Sequence, residues 1–366
     1  MRLVPINSVK EGSVLAKTIY NTNGIPLLRE GYPLNAKLID KAIYNGIYSL
    51  YIHDQYSDGI IEDIISPELR QKAIHTLKGS YDDLQKDSYY LRSNKYNKNT
   101  HNDPISNVSL LAKEFVDDIL SNKEIIINLV DIKTMDDYTY QHCVNAAILA
   151  IVLGVEIGYN KKQLESIAIG ALLHDFGKVF IPKNILLKPG KLTSGEMNEI
   201  KNHPMLGYNY LKNHSSINPI ALSIIMEHHE KVNGGGYPKG LHHHKISKYA
   251  KMAAVCDVYD ALTSDRTYRK AMSPNEALEL IMGSCGVDFD LDIVKAFMNR
   301  IVPYPVGTLV ELSNGTTAVI KCLNSEYVLR PVVNVINKQK NDVTFNEVDL
   351  MIETNIVIKG VHYEDL

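Results

Sequence analysis

The chain has 366 residues, 45% of them apolar and 22% charged, and a formal net charge of −3. Those values fit a globular chain of more than one domain. They exclude a general electrostatic attraction for nucleic acid, so any anionic ligand must be held by a local cluster. The four cysteines, Cys143, Cys256, Cys285 and Cys322, show no CxxC spacing and read as free thiols in a reducing compartment. No apolar run approaches the roughly 20 residues that span a bilayer. The opening MRLVPINSVKEG lacks a charged segment followed by an apolar one. The expectation is a cytoplasmic protein with no membrane span and no DNA partner.

Residues 1–55 mix short strand-like runs with turn signals. VLAKTIY reads as a strand, NTNG and REGYP as turns, and LNAKLIDKAIYNGIYSLYI as a helix, a stop at Gly46 and a strand. A small α/β module is expected. Residues 56–108 carry a helical pattern and then SYYLRSNKYNKNTHNDPISN, polar and aperiodic, which reads as a linker. From 109 to 302 the pattern is helical throughout. Leu164, Ile167, Ala168, Ala171 and Leu172 share one helical face. Thr193 and Glu196 have capping-box spacing, and Pro204 suits a first helical turn. From 303 to 366 the pattern turns strand-like: YPVGTLVELSNGTTAVIKCL around Ser-Asn-Gly, then YVLRPVVNVIN and IETNIVIKGV. The fold class expected is mainly α, a helical core with a small α/β N-terminal module and a small β C-terminal appendage.

The chemistry lies in the helical stretch. A single histidine in a helix is ordinarily a core or surface residue, but here His142, His174, His203, His228 and His229 accompany Asp175 and Asp257. His174-Asp175 ends an apolar helix, and His228-His229 ends the apolar run ALSIIM before a Gly-rich loop. A helix C-terminus favours a cation. Asp257 falls on a small apolar stripe with Ala253 and Ala261, where a buried carboxylate needs a cation or a hydrogen-bond network. His and carboxylate donors suit Fe, Mn, Ni or Zn. Two divalent ions, Fe or Mn first, bridged by a carboxylate such as Asp175, would satisfy the whole set.

These residues fall in strings that resemble the HD-GYP subgroup of the HD superfamily of metal-dependent phosphohydrolases. The strings are DDYTYQH (136–142), HDFGKVFIPKNILLKPGKL (174–192), HPMLG (203–207), EHHEKVNGGGYPKGL (227–241) and AVCDVYDALTSDRTYR (254–269). The resemblance implies an HD-type helical domain. It also implies a phosphodiesterase that opens cyclic di-GMP to linear pGpG by attack of metal-activated hydroxide on a phosphodiester. It places His142, His174, Asp175 and Asp257 on one ion, and Asp175, His203, His228 and His229 on the second. Lys178 would contact the scissile phosphate, Gly236 and Tyr237 would line the substrate site, and Arg266 and Arg269 would reach the anionic ligand. Arginine suits bidentate phosphate contacts.

Some family members carry a glutamate four residues before the first ligand histidine, for a third ion; Tyr138 stands there in this chain. Two ions and arrest at the dinucleotide are therefore expected. His242, His243 and His244 read as a solvated loop run, as do Lys183, Lys188 and Lys191. Asp260 and Asp265 read as caps, turns or hydrogen-bonding support, Glu230 as support or surface, and Asp136 as a partner of His142 or of ligand. Two alternatives stay open. One is a receptor that binds the cyclic dinucleotide without cutting it, and the other is a phosphodiesterase for a different cyclic dinucleotide. A homodimer or a signalling-protein partner suits a multi-domain chain, and no residue pattern selects either.

Overall fold

A computed structural model describes residues 1–20, 26–44, 47, 49–53, 64–92, 104–122, 138–213, 217–264, 272, 274–302, 304, 306–324, 327–339 and 342–362. At the N-terminus β1 (Arg2–Pro5), β2 (Val14–Leu15), β3 (Ile19–Tyr20) and β4 (Pro26–Leu28) precede α1 (Ala36–Tyr44) and β5 (Ser49–His53). β5 lies antiparallel between β1 and β2, with Arg2 opposite Ile52, while β3 and β4 pair separately. VLAKTIY is thus two short strands in two sheets. Ala16 ties the first to β5 by donating its N–H to the Tyr51 carbonyl. Val4, Leu15, Leu34 and Leu50 close a small core of their own. NTNG and Gly46 lie outside the described residues.

The helical unit starts earlier than residue 109. α2 (Pro67–Arg92) and α3 (Pro104–Ser121) both contribute to its core, through Leu77, Tyr81, Leu84, Ile105 and Phe115. The polar stretch read as a linker therefore includes the end of one packed helix and the start of the next; residues 93–103 lie outside the described set. α4 (Tyr138–Glu156) has no charged residue from Cys143 to Leu153. A helix apolar on all sides belongs at the centre, and α4 is buried along that run. α5 (Lys161–Leu173) starts at a capping box between Asn160 and Gln163. A short α6 (Lys183–Leu186) leads to α7 (Ser194–Lys201), whose Thr193–Glu196 capping box is present. α8 (His203–Leu211) carries Pro204 in its first turn, and α9 (Pro219–Glu227) begins with a proline after the Asn218 cap. α10 (Lys248–Thr263), α11 (Pro274–Gly283) and α12 (Leu291–Met298) complete the bundle.

β6 (Leu309–Leu312), β7 (Thr317–Cys322), β8 (Val332–Gln339), β9 (Asp342–Asp349) and β10 (Ile358–Val361) form one antiparallel sheet in the order β10-β6-β7-β8-β9. Its core centres on Leu312, Ile320 and Val333. The β6–β7 hairpin turns at Ser313-Asn314-Gly315, as read. β9 was not foreseen. It pairs with β8 from Val332↔Asp349 to Gln339↔Asp342, yet Val343 and Phe345 are exposed. Val343 and Phe345 alternate with polar residues, but Glu347 breaks the phase, so the alternation is too short to mark a strand in the sequence. Among the described residues, no helix is long and apolar enough to cross a membrane.

Candidate metal centre

Helix ends from separate parts of the chain meet at one point. His174 is the residue at which α5 stops, and Asp175 follows it with φ −91° and ψ 0°. His203 opens α8, and His228 closes α9 with His229 beside it. His142 lies in the second turn of α4, and Asp257 lies in the middle of α10. His142, His174, Asp175, His203, His228 and Asp257 are all buried, and His229 is partly exposed. Gly177 permits the close approach behind them: a Cβ there would lie 1.9 Å from the His203 carbonyl oxygen.

The histidines are oriented one nitrogen at a time. Nδ1 of His174 lies 2.7 Å from the Ala171 carbonyl, and Nδ1 of His203 lies 2.8 Å from that of Ile200. Nδ1 of His228 lies 3.1 Å from both the Ile224 and Ile225 carbonyls. A carbonyl can only accept, so each Nδ1 carries the proton. In the neutral ring, Nε2 is then a lone pair aimed at the centre. Nε2 of His203 faces Nε2 of His228 at 3.3 Å and Oδ1 of Asp175 at 3.3 Å, acceptor against acceptor. Nε2 of His174 and Oδ1 of Asp175 are buried with no hydrogen-bond partner.

The electrostatics follow from burial and neighbouring charge. Burial pushes His203 down to about 3, with Lys178 and His229 adding to it against Asp175. His229 falls to about 4 and His228 lies well below its ordinary value, burial again being the main cause. At His142 burial acts the same way but is outweighed by hydrogen bonds with Asp257 (2.9 Å) and Asp260 (2.7 Å), which lift it to about 9. His174 also rises to about 9, because Asp175 overcomes burial. Burial would raise Asp175, but Lys178 at 2.6 Å and the histidines hold it well below the usual carboxylate range. Asp257 is likewise held down, chiefly by His142 against its burial.

Lone pairs packed against lone pairs, a buried Asp175 oxygen without a hydrogen-bond partner and carboxylates that stay ionised all call for cations, so this donor set could hold metal ions. Three groupings have ligating atoms all within 4.8 Å of one another: Asp175, His203, His228 and His229; His142, His174 and Asp175; and His174, His228 and Asp257.

Comparison with known proteins agrees. A sequence model of the HD domain family matches residues 119–293. Over 230 residues the chain is 36% identical to a cyclic di-GMP phosphodiesterase of Pseudomonas aeruginosa, covering 63% of this chain and 55% of that protein. Over 232 residues it is 30% identical to a cyclic di-GMP phosphodiesterase of Borreliella burgdorferi, covering 63% of this chain and 61% of that one. Residues 119–293 of the helical unit match the HD domain family, in line with the HD-GYP resemblance of the sequence strings. The chain spans less than two thirds of the length of these two relatives. An HDG"Y"P protein from Bdellovibrio bacteriovorus, 18% identical, shares the fold with a TM-score of 0.51 over 81% of this chain and 97% of that one.

The HD domain thus brings His142, His174, Asp175, His203, His228, His229 and Asp257 together. Lys178 reaches Asp175 from a partly exposed position at the mouth of the site. The Tyr237 ring lies against His229, with centroids 4.6 Å apart, and Nζ of Lys201 lies 5.5 Å from the ring centroid. Gly236 packs against backbone: a Cβ would meet the Lys231 nitrogen at 2.3 Å. Arg266, Arg269, Asp265, Asp136 and the side chain of Tyr138 lie outside the described residues. Lys188 is paired with Glu196 at 2.7 Å, and His243 meets Asp290 at 2.7 Å, so neither is merely solvated. Glu230 is buried. Its carboxylate accepts the N–H groups of Lys239 (2.7 Å) and Leu241 (2.8 Å), which fixes the loop carrying Tyr237. Lys201 carried no sequence signal, because an isolated lysine near a helix end is ordinary.

Proposed function

We propose that this chain is a two-metal phosphodiesterase that hydrolyses cyclic di-GMP to linear pGpG. One ion would be held by His142, His174, Asp175 and Asp257, the other by Asp175, His203, His228 and His229. Fe and Mn are the proposed first candidates; Ni and Zn are equally within the range of His and carboxylate donors. When bound, the ions supply Lewis acidity to the phosphoryl group and acidity to the attacking water. The observation that carries the reading is that Asp175 belongs to two groups of converging donors while Lys178 stands 2.6 Å from its carboxylate at the open side.

The residues then divide the work. Asp175 keeps its negative charge and draws both donor groups together. The Nδ1–H bonds of His174, His203 and His228 hold the rings so that only Nε2 faces inward. Lys178, held protonated by Asp175 against its partial burial, can offset the charge that grows on the phosphoryl oxygens. Tyr237, against His229, offers a flat wall for a guanine base. Arg266 and Arg269 are the proposed further contacts to the phosphates. The 36% identity to a protein named as a cyclic di-GMP phosphodiesterase supports this substrate.

The test is a product assay on protein purified without oxygen and loaded separately with Mn and Fe. Accumulation of pGpG from cyclic di-GMP is the expected result. GMP formed in step would overturn the product assignment. No turnover by protein that binds both metal and dinucleotide would make it a receptor. Faster cleavage of a mixed cyclic dinucleotide would correct the substrate and keep the chemistry.

A further inference from the structure

His142 differs from the other inward-facing histidines. His174, His203 and His228 hold Nδ1 on carbonyls of their own helix ends, but His142 sits within α4, where backbone carbonyls are committed to the helix. Its Nδ1 instead meets Oδ2 of Asp260 on α10 at 2.7 Å. Asp260 is buried, and its other oxygen accepts the Asn145 amide N–H at 2.9 Å. Asn145, also buried, in turn accepts from Nη1 of Arg70 at 2.6 Å. Arg70 is half-buried in the first turn of α2. The chain of contacts runs from the centre of the site to the helix that follows the N-terminal module, and each group in it is matched donor to acceptor.

α2 touches the site at a second point. The Tyr81 hydroxyl donates to the Leu172 carbonyl at 2.9 Å, and its ring stands edge-on to Phe176 and Tyr140. Gln85 donates to the Val179 carbonyl at 3.2 Å. One helix therefore braces both the His174-Asp175 segment and the polar chain behind His142.

We propose that Asp260 is a positioning residue of the metal centre, fixing His142 through Nδ1, and that Arg70 of α2 anchors Asp260 through Asn145. This rests on the reading of His142 as a metal ligand. Without the carboxylate, His142 can turn or take the other tautomer, and Nε2 no longer presents a lone pair. Without Arg70, the Asn145 amide is free to flip, and Oδ1 of Asp260 loses its fixed donor. Outer partners of this kind are as much part of a metal site as its ligands.

The test is Mn affinity of the full chain, measured by competition with a chelating dye, alongside turnover. Asp260→Asn should weaken Mn binding about 10- to 100-fold. Arg70→Ala should weaken it by a smaller factor, about 2- to 30-fold, with metal-free thermal stability close to the parent. Arg70→Lys, which keeps a donor, should restore most of the loss. Unchanged affinity in Asp260→Asn overturns the role of Asp260. Unchanged affinity in Arg70→Ala, or a loss that Lys does not relieve, overturns the anchor. If Asp260→Asn does not fold, the Arg70 pair decides the question alone. Parent protein that binds Mn but cuts no dinucleotide defeats the phosphodiesterase reading and leaves these affinity ratios intact; parent protein that binds no Mn defeats both.

Discussion

The two halves of the metal centre are built by different means. On the side of α5, α8 and α9, the imidazoles of His174, His203 and His228 are anchored by carbonyls three or four residues away in the same chain. On the side of α4 and α10, His142 depends on Asp260, 118 residues distant, and on Asn145 and Arg70 behind it. Local anchoring needs only a histidine at a helix end, which the fold supplies as soon as the helix forms. Remote anchoring needs the bundle to be assembled. The first half is therefore set by secondary structure and the second by tertiary packing.

Asp175 joins the halves, so its loss should have the largest effect. Asp175→Asn keeps the shape and removes the charge common to both donor groups. Turnover and Mn affinity should both fall by more than the roughly 100-fold that marks the upper range for an outer partner, as read by dye competition and product chromatography. A variant that lost only half of its bound metal, with the other half unaffected, would show that the halves are independent. Lys178→Met should separate chemistry from metal holding. Removing one charge-stabilising donor costs about 10²–10³ in kcat, while Mn affinity should hold or rise, because a cation next to the site is gone. A parallel fall in Mn affinity would make Lys178 a structural support of Asp175 instead.

The same division explains what the sequence disclosed. The ends of α5 and α9 could be read because an apolar stripe stops at a histidine in each. The caps at Thr193 and Pro204 were visible because capping is a local pattern. Asp260 was legible only as a carboxylate of unspecified support, since its partners are 115 and 118 residues away. Arg70 and Tyr81 gave no signal, because a helix rich in charged and polar residues reads as a tether until its buried face is seen. β9 escaped notice because its alternation covers only Val343 and Phe345 before Glu347 interrupts it. The aperiodic stretch near 100 was read too long, because the residues of α2 and α3 that border it are too few to show a helical period of their own.

The charge states of the histidines, which cut across the two halves, give a pH test. In the metal-free protein His142 and His174 are held protonated up to about 9, whereas His203 and His229 are neutral above about 3 and 4. A metal ion must displace protons from the first pair and none from the second. Raised values mean that the protons are fully present at pH 7 and lost as pH rises through 9, so apparent Mn affinity should climb with pH over that window, about tenfold per unit for each proton released. Calorimetry in two buffers of different ionisation enthalpy reads the number directly. A proton count of zero at pH 7 would mean that neither His142 nor His174 takes part in binding.

The smallest effect should fall outside both halves, on the loop that carries Tyr237. Glu230 spends each carboxylate oxygen on one backbone N–H, at Lys239 and at Leu241. In Glu230→Gln one oxygen becomes an amide NH2 that opposes its former donor, so one charge-assisted bond is lost and one N–H is left unmatched. A loss of about 1.5 kcal/mol from such a bond corresponds to about a tenfold change. It should appear in KM for the dinucleotide, because the loop shapes the substrate wall and supplies no metal donor. Mn affinity should match the parent. A fall in Mn affinity as large as the rise in KM would mean that the loop also holds His229, whose carbonyl accepts the Tyr237 N–H at 3.1 Å, and the boundary between substrate wall and metal centre would then run through Tyr237 itself.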